Sequence, residues 1–126
     1  MKRKKMFILM TFSLLLIFSC SLLNFGGSFA PPTWIQGTWE DDLGTTSYIF
    51  EADNVTQSIA GYEINLGLAY IAATITETSN DSLYEFTIDQ SGSVATYTFD
   101  KTSSTTLDYT VTASGTTSPA VELTKQ

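Results

Sequence analysis

From Thr33 onward, hydrophobic and polar positions alternate in short runs broken by clusters of turn-forming residues. A period of two is the signature of strands buried on one face. Eight strands are predicted, over residues 35–40, 45–51, 55–59, 72–78, 83–89, 94–101, 105–113 and 120–124. The second half is the more regular. Tyr84, Phe86 and Ile88 share one face against Glu85, Thr87 and Asp89; Ala95, Tyr97 and Phe99 oppose Thr96, Thr98 and Asp100; Leu107, Tyr109 and Val111 oppose Asp108, Thr110 and Thr112. Tyr48 with Phe50, Val55 with Gln57 and Ile59, Ala73 with Ile75, and Val121 with Leu123 extend the pattern to the other strands.

Residues 61–71 break the rhythm. Ile64, Leu68 and Ile71 lie at helical spacing, whereas Ile64, Leu66, Leu68 and Tyr70 lie at strand spacing. Both conformations stay open, and the segment is expected to be an irregular lid that plugs the core.

Asp41-Asp42-Leu43-Gly44, Ala52-Asp53-Asn54, Ser79-Asn80-Asp81, Gln90-Ser91-Gly92-Ser93, Thr102-Ser103-Ser104 and Ser114 to Pro119 supply the turns. Threonine and aromatic residues, the latter 13% of the chain, suit pleated, half-buried surfaces. The fold class is therefore all-β: a small antiparallel up-and-down barrel of about eight short strands, closed so that no sheet edge is left bare.

The first nineteen residues follow another rule. Lys2, Arg3, Lys4 and Lys5 precede an almost unbroken apolar run from Met6 to Phe18, the order of charges and apolar residues found in a secretory signal. Thirteen residues are too few to span a bilayer, which asks for about 20 in a helix. Ile17-Phe18-Ser19-Cys20 resembles the lipobox of bacterial lipoproteins, with Phe18 as its one departure. The resemblance implies that Cys20 carries the lipid as first residue of the mature chain. Ser28-Phe29-Ala30 offers an ordinary cleavage site, but Pro31 follows it directly and disfavours cutting there. The expected organisation is a signal peptide over 1–19, a lipidated cysteine and flexible tether over 20–33, and one domain over 34–126. Ser21, rather than an aspartate, follows the cysteine, which points to the outer membrane of a cell that has two.

Removing the leader changes the charge. Lys101 and Lys125 then face thirteen acids, a net charge of −11. Such a surface repels phosphate backbones and excludes nucleic acid as a partner. Cys20 is the single cysteine, so no internal disulfide is possible, and the chain has no histidine for a triad, a general base or the usual zinc sets. No phosphate-binding glycine loop and no regularly spaced calcium loop occurs. The chain is expected not to be an enzyme and to need neither cofactor nor metal.

Gly37-Thr38-Trp39 at the head of the first strand, followed by a strand with Tyr48 and Phe50, resembles the opening of lipocalins. Residues 34–126 as a whole are similar to the short lipocalin-like domains of small bacterial lipoproteins. The resemblance implies that Gly37 and Trp39 are structural, the tryptophan packing across the closed end of the barrel. Lipocalins usually stack an arginine from near the last strand on that ring, and no arginine follows Arg3 here. Phe50, Tyr84, Phe86, Tyr97, Phe99 and Tyr109 are the candidate lining of the interior. Two functions follow: a lipid-anchored barrel receiving a small hydrophobic molecule among those rings, or a surface structural or protein-interaction lipoprotein, inhibitors included, whose core is filled.

Overall fold

The computed structural model describes residues 29–126, so the leader, Cys20 and the first part of the tether lie outside the described residues. Ten strands form one antiparallel sheet: β1 (Gly37–Glu40), β2 (Thr46–Phe50), β3 (Val55–Ile59), β4 (Tyr62–Asn65), β5 (Thr74–Ser79), β6 (Leu83–Gln90), β7 (Ser93–Lys101), β8 (Thr106–Ala113), β9 (Thr116–Thr117) and β10 (Val121–Lys125). A single helical turn, α1 (Leu66–Ala69), separates β4 from β5. The sheet order is β4-β3-β2-β1-β10-β8-β7-β6-β5, with β9 beside β8.

Two meanders are thus joined through β1 and β10, where Trp39 is the register partner of Lys125. The sheet curls until β2 faces β6 and β7 across the interior: Phe50 meets Tyr84 and Phe99 with ring centroids 5.9 and 5.0 Å apart. It does not close into the expected barrel, because β4 and β5 are its free edges. Every pairing in the sheet is antiparallel, so following them from β1 in both directions makes β4 and β5 point the same way. Antiparallel pairing is not open to them, and residues 66–73 carry the chain back from one end of the sheet to the other between them. The architecture is an antiparallel half-barrel.

The strands follow the alternation. Tyr84, Phe86 and Ile88 are all buried, while Glu85 and Thr87 are half-buried and Asp89 is exposed. On the outer face Thr76, Thr87, Thr96, Thr112 and Thr117 are successive register partners across five strands. The hydroxyls of Thr87 and Thr96 lie 3.0 Å apart and those of Thr112 and Thr117 2.9 Å apart, cross-strand contacts that help hold such a sheet together. The threonine richness is spent on this face.

Two boundaries differ from expectation. Residues 61–71 are neither all strand nor all helix: Tyr62–Asn65 pairs with β3, and Asn65 then caps α1 through its side chain, which accepts from the Leu68 N–H at 3.1 Å. Ala60 and Gly61, at φ 51° and 85°, make the tight hairpin that pairs Ile59 with Tyr62; two residues of positive φ match the right-handed twist of the strands they join. Residues 29–33, assigned to the tether, instead belong to the body. Phe29 is only 2% exposed and meets Phe86 edge-on at 5.0 Å. The Ala30 N–H donates to both carboxylate oxygens of Glu77, at 3.0 and 2.9 Å.

Candidate functional site

The inward face of the half-barrel carries the candidate residues, and they meet one another. Phe99 on β7 is the hub. Its ring lies 5.1 Å from Tyr48, 5.0 Å from Phe50, 6.2 Å from Tyr84, 5.8 Å from Phe86 and 5.2 Å from Tyr109. Tyr97 stacks on Phe86 at 4.8 Å. Phe50, Tyr84, Phe86 and Phe99 are fully buried, whereas Tyr97 and Tyr109 are half-buried and pack against them. The fold brings these six residues together as parts of one stacked and edge-to-face cluster. Such geometry adds to the stabilisation that burial alone provides.

Polar atoms inside this cluster are satisfied by each other. The Tyr48 hydroxyl donates to the Tyr109 hydroxyl at 2.6 Å and accepts from the Gln57 amide, also at 2.6 Å. Tyr84 donates to Glu77 at 2.7 Å, so Glu77 binds both the Ala30 N–H and a core phenol. No buried side-chain nitrogen or oxygen lacks a partner among the described residues.

Burial raises the Tyr48 hydroxyl far above the usual tyrosine range, the Tyr109 hydroxyl beside it adds to the rise, and the Gln57 hydrogen bond opposes it. Tyr84 is raised by burial, then by its bond to the Glu77 carboxylate and by that charge. Tyr97 is pushed up to about 12, first by burial and then by Tyr70 and Tyr109. Tyr109 is raised by burial, against the pull of its bond from Tyr48. Phenols held neutral in this way serve as donors and acceptors. Removing the proton would place a charge in a less polar medium, so these phenols stay protonated at neutral pH.

Each of the two tryptophans carries a cation over its ring. Trp39 is fully buried, and its indole N–H donates to the Ile35 carbonyl at 2.7 Å. Lys125 on β10 sets its ammonium 5.6 Å from the centre of that ring, a cation–π contact. Gly37 makes room for it. At φ +124° a side chain would be strained there, and a Cβ would sit 3.2 Å from the Lys125 Cε. Trp34 repeats the arrangement, donating to the Asn80 carbonyl at 2.8 Å with the Lys101 ammonium 5.6 Å from its centre. Both cations of residues 29–126 are thus placed over the two tryptophans.

No family model, curated protein or solved structure matches this chain.

Two clefts lie outside the aromatic interior. One, of about 350 Å³, is lined by Glu51, Asp53, Asn54, Asn65, Gly67 and Leu68, where the β2–β3 turn meets α1. The other, of about 300 Å³, is lined by Gly92, Ser93, Val94, Thr96, Thr112, Ser114 and Gly115, at the tips of two hairpins. Among the described residues no three His, Cys, Asp or Glu side chains are gathered so as to hold a metal ion, and no helix is long and apolar enough to cross a membrane. Cys20 lies outside the described residues.

Several residues of the site were not singled out from the sequence as site residues. Tyr48 and Gln57 stand at alternate positions of predicted strands, which marked them as inward-facing but not as hydrogen-bond partners of a distant tyrosine. Glu77 in β5, a carboxylate on the face of Ile75, was the visible anomaly: an acid at an inward position needs a donor, and it has two. Lys125 carried no local signal, because its partner ring is far away along the chain.

Proposed function

We propose that this chain is an exported lipoprotein, anchored through a lipid on Cys20, whose filled half-barrel presents its outer surface and edges to a protein partner. The observation that supports a filled body over a ligand-binding one is the Phe99 hub. A small hydrophobic guest would have to displace rings already in contact across the whole interior, and would regain little by replacing them. The body reads as a reduced lipocalin-like barrel. Its Gly37-x-Trp39 opening sits at the first strand, and Lys125 occupies the place over the tryptophan where that family uses arginine. The short basic and apolar leader and the Ser19-Cys20 junction support export and anchoring. Ser21 favours the outer membrane where there are two.

Two measurements test this. Replacing Cys20→Ala should abolish incorporation of labelled palmitate and move the protein from the detergent phase to the aqueous phase; unchanged membrane association would overturn the anchor. Native mass spectrometry of protein purified from its own cell should give the mass of the lipidated chain alone. A retained small molecule, released when Phe99 or Tyr109 is altered, would restore the ligand-binding alternative.

A further inference from the structure

The sheet has two free edges, β4 and β5. On β5 the exposed residues are all polar, Thr74, Thr76, Thr78 and Ser79. β4 differs. Its pairing is with β3, and Tyr62, Glu63 and Ile64 are all exposed. Tyr62 and Ile64, 79% and 42% exposed, are the register partners of Ile59 and Gln57 and so share one face with them. Leu68 and Ile71, which follow β4 along the chain, are 71% and 56% exposed. A bare edge flanked by alternate apolar side chains is a template for one more strand.

The charge beside this edge says what kind of strand it would take. Asn65 at the end of β4 and Leu68 also line the cleft of about 350 Å³ that holds Glu51 and Asp53. This cleft is acidic, and both lysines of residues 29–126 are engaged over tryptophans elsewhere. A second copy of the chain would add another body of net charge −11, so self-pairing is disfavoured by like-charge repulsion.

We propose that β4 is a docking edge for an extended segment of a partner protein. The segment adds antiparallel to β4, carries apolar side chains at alternate positions, and places a lysine or arginine near its N-terminal end in the Glu51–Asp53 cleft. The direction follows from the fold. Asn65 ends β4 at the cleft, so an antiparallel partner begins there. Main-chain hydrogen bonds would supply affinity, and the cleft would supply selectivity. The proposal rests on the reading of the body as a surface interaction module, but not on the lipid anchor.

The test uses the full chain purified in detergent and a fluorescent heptapeptide, Lys-Val-Thr-Ile-Thr-Val-Thr, followed by anisotropy. Saturable binding with a Kd below about 1 mM is expected, weak because β4 has only four residues. Changing the peptide's lysine to glutamate, or Glu51→Gln with Asp53→Asn on the protein, should weaken it by about fivefold, the scale of exposed ion pairs. Ile64→Lys should abolish binding while leaving the urea midpoint of unfolding within error, and hydrogen exchange should slow at residues 62–65 when peptide is present. Absence of saturation, equal binding of the glutamate peptide, or binding indifferent to Ile64→Lys would overturn the proposal. A concentration-dependent dimer lost in Ile64→Lys would assign the edge to a second copy and overturn it too. A small molecule retained in the native mass spectrum would overturn the interaction-module reading itself, whereas absent peptide binding with no retained molecule overturns the docking edge alone, so the two failures are distinguishable.

Discussion

Truncating Phe99 to alanine is the sharpest probe of the filled interior. Phe99 is fully buried and has five aromatic rings between 5.0 and 6.2 Å from its own. Deleting a buried phenylalanine ring costs about 3–5 kcal/mol, the transfer of the ring plus the hole it leaves. Edge-to-face and stacked partners add roughly 0.5–1.5 kcal/mol for each pair lost, though not additively. The hub position places Phe99→Ala in the upper part of that range, about 4 kcal/mol. A domain of this size has about 5–15 kcal/mol in all, so the variant should fold but only just. With a urea slope of about 2 kcal/mol/M the midpoint should fall by about 2 M. Equilibrium unfolding in urea, followed by far-UV circular dichroism, reads this directly. A small aromatic such as indole should raise the midpoint of the variant and leave the unaltered protein unchanged, because only the variant has a void to fill. A loss under about 1.5 kcal/mol at unchanged slope would mean that the rings border a solvated pocket rather than each other, and the filled-body reading would fail.

Three further outcomes follow from the same interior. Tyr48→Phe should cost about 1–3 kcal/mol in urea unfolding, because it strands the buried Gln57 amide and leaves Tyr109 without its bond; a neutral substitution would mean that water replaces the lost hydroxyl. Tyr48, Tyr84, Tyr97 and Tyr109 all have folded-state values raised above the ordinary tyrosine value of 10.0. Their stabilisation is complete below about pH 10 and is lost as pH rises above it, since the unfolded chain gives up those protons first. An absorbance titration of tyrosinate should therefore show a cooperative step coinciding with loss of circular dichroism, and smooth non-cooperative ionisation of all six tyrosines would contradict it. Phe29→Ala should destabilise the body by about 3–5 kcal/mol, as for any core phenylalanine; if the midpoint does not move, residues 29–33 are tether after all.

The inward faces of β6, β7 and β8 were legible because alternation is a local property: a strand buried on one side must place apolar residues at every second position. Tyr84, Phe86, Phe99 and Leu107 were found on that basis. Alternation does not mark β4 as a distinct strand, although Ala60-Gly61, a hairpin pair, stands just before it. The apolar residues after it satisfied strand and helix spacing at once, and in the event the chain uses one period and then the other. Gly26, Gly27 and the two prolines around Phe29 predict a tether, and composition does not reveal that one ring among them reaches a distant phenylalanine.

What the sequence determined by itself is what depends on neighbours along the chain: all-β character, strand faces, most turns, the basic and apolar leader, and the surplus of acids. The tertiary structure decided what depends on residues far apart. It set which rings touch across the interior, that Lys125 stands over Trp39, and that Glu77 receives both Ala30 and Tyr84. It also decided that the sheet stops short of closure, because that outcome turns on the relative direction of two strands separated by a helical turn. Local periodicity fixes which way a side chain faces. Only the path of the whole chain fixes what it meets.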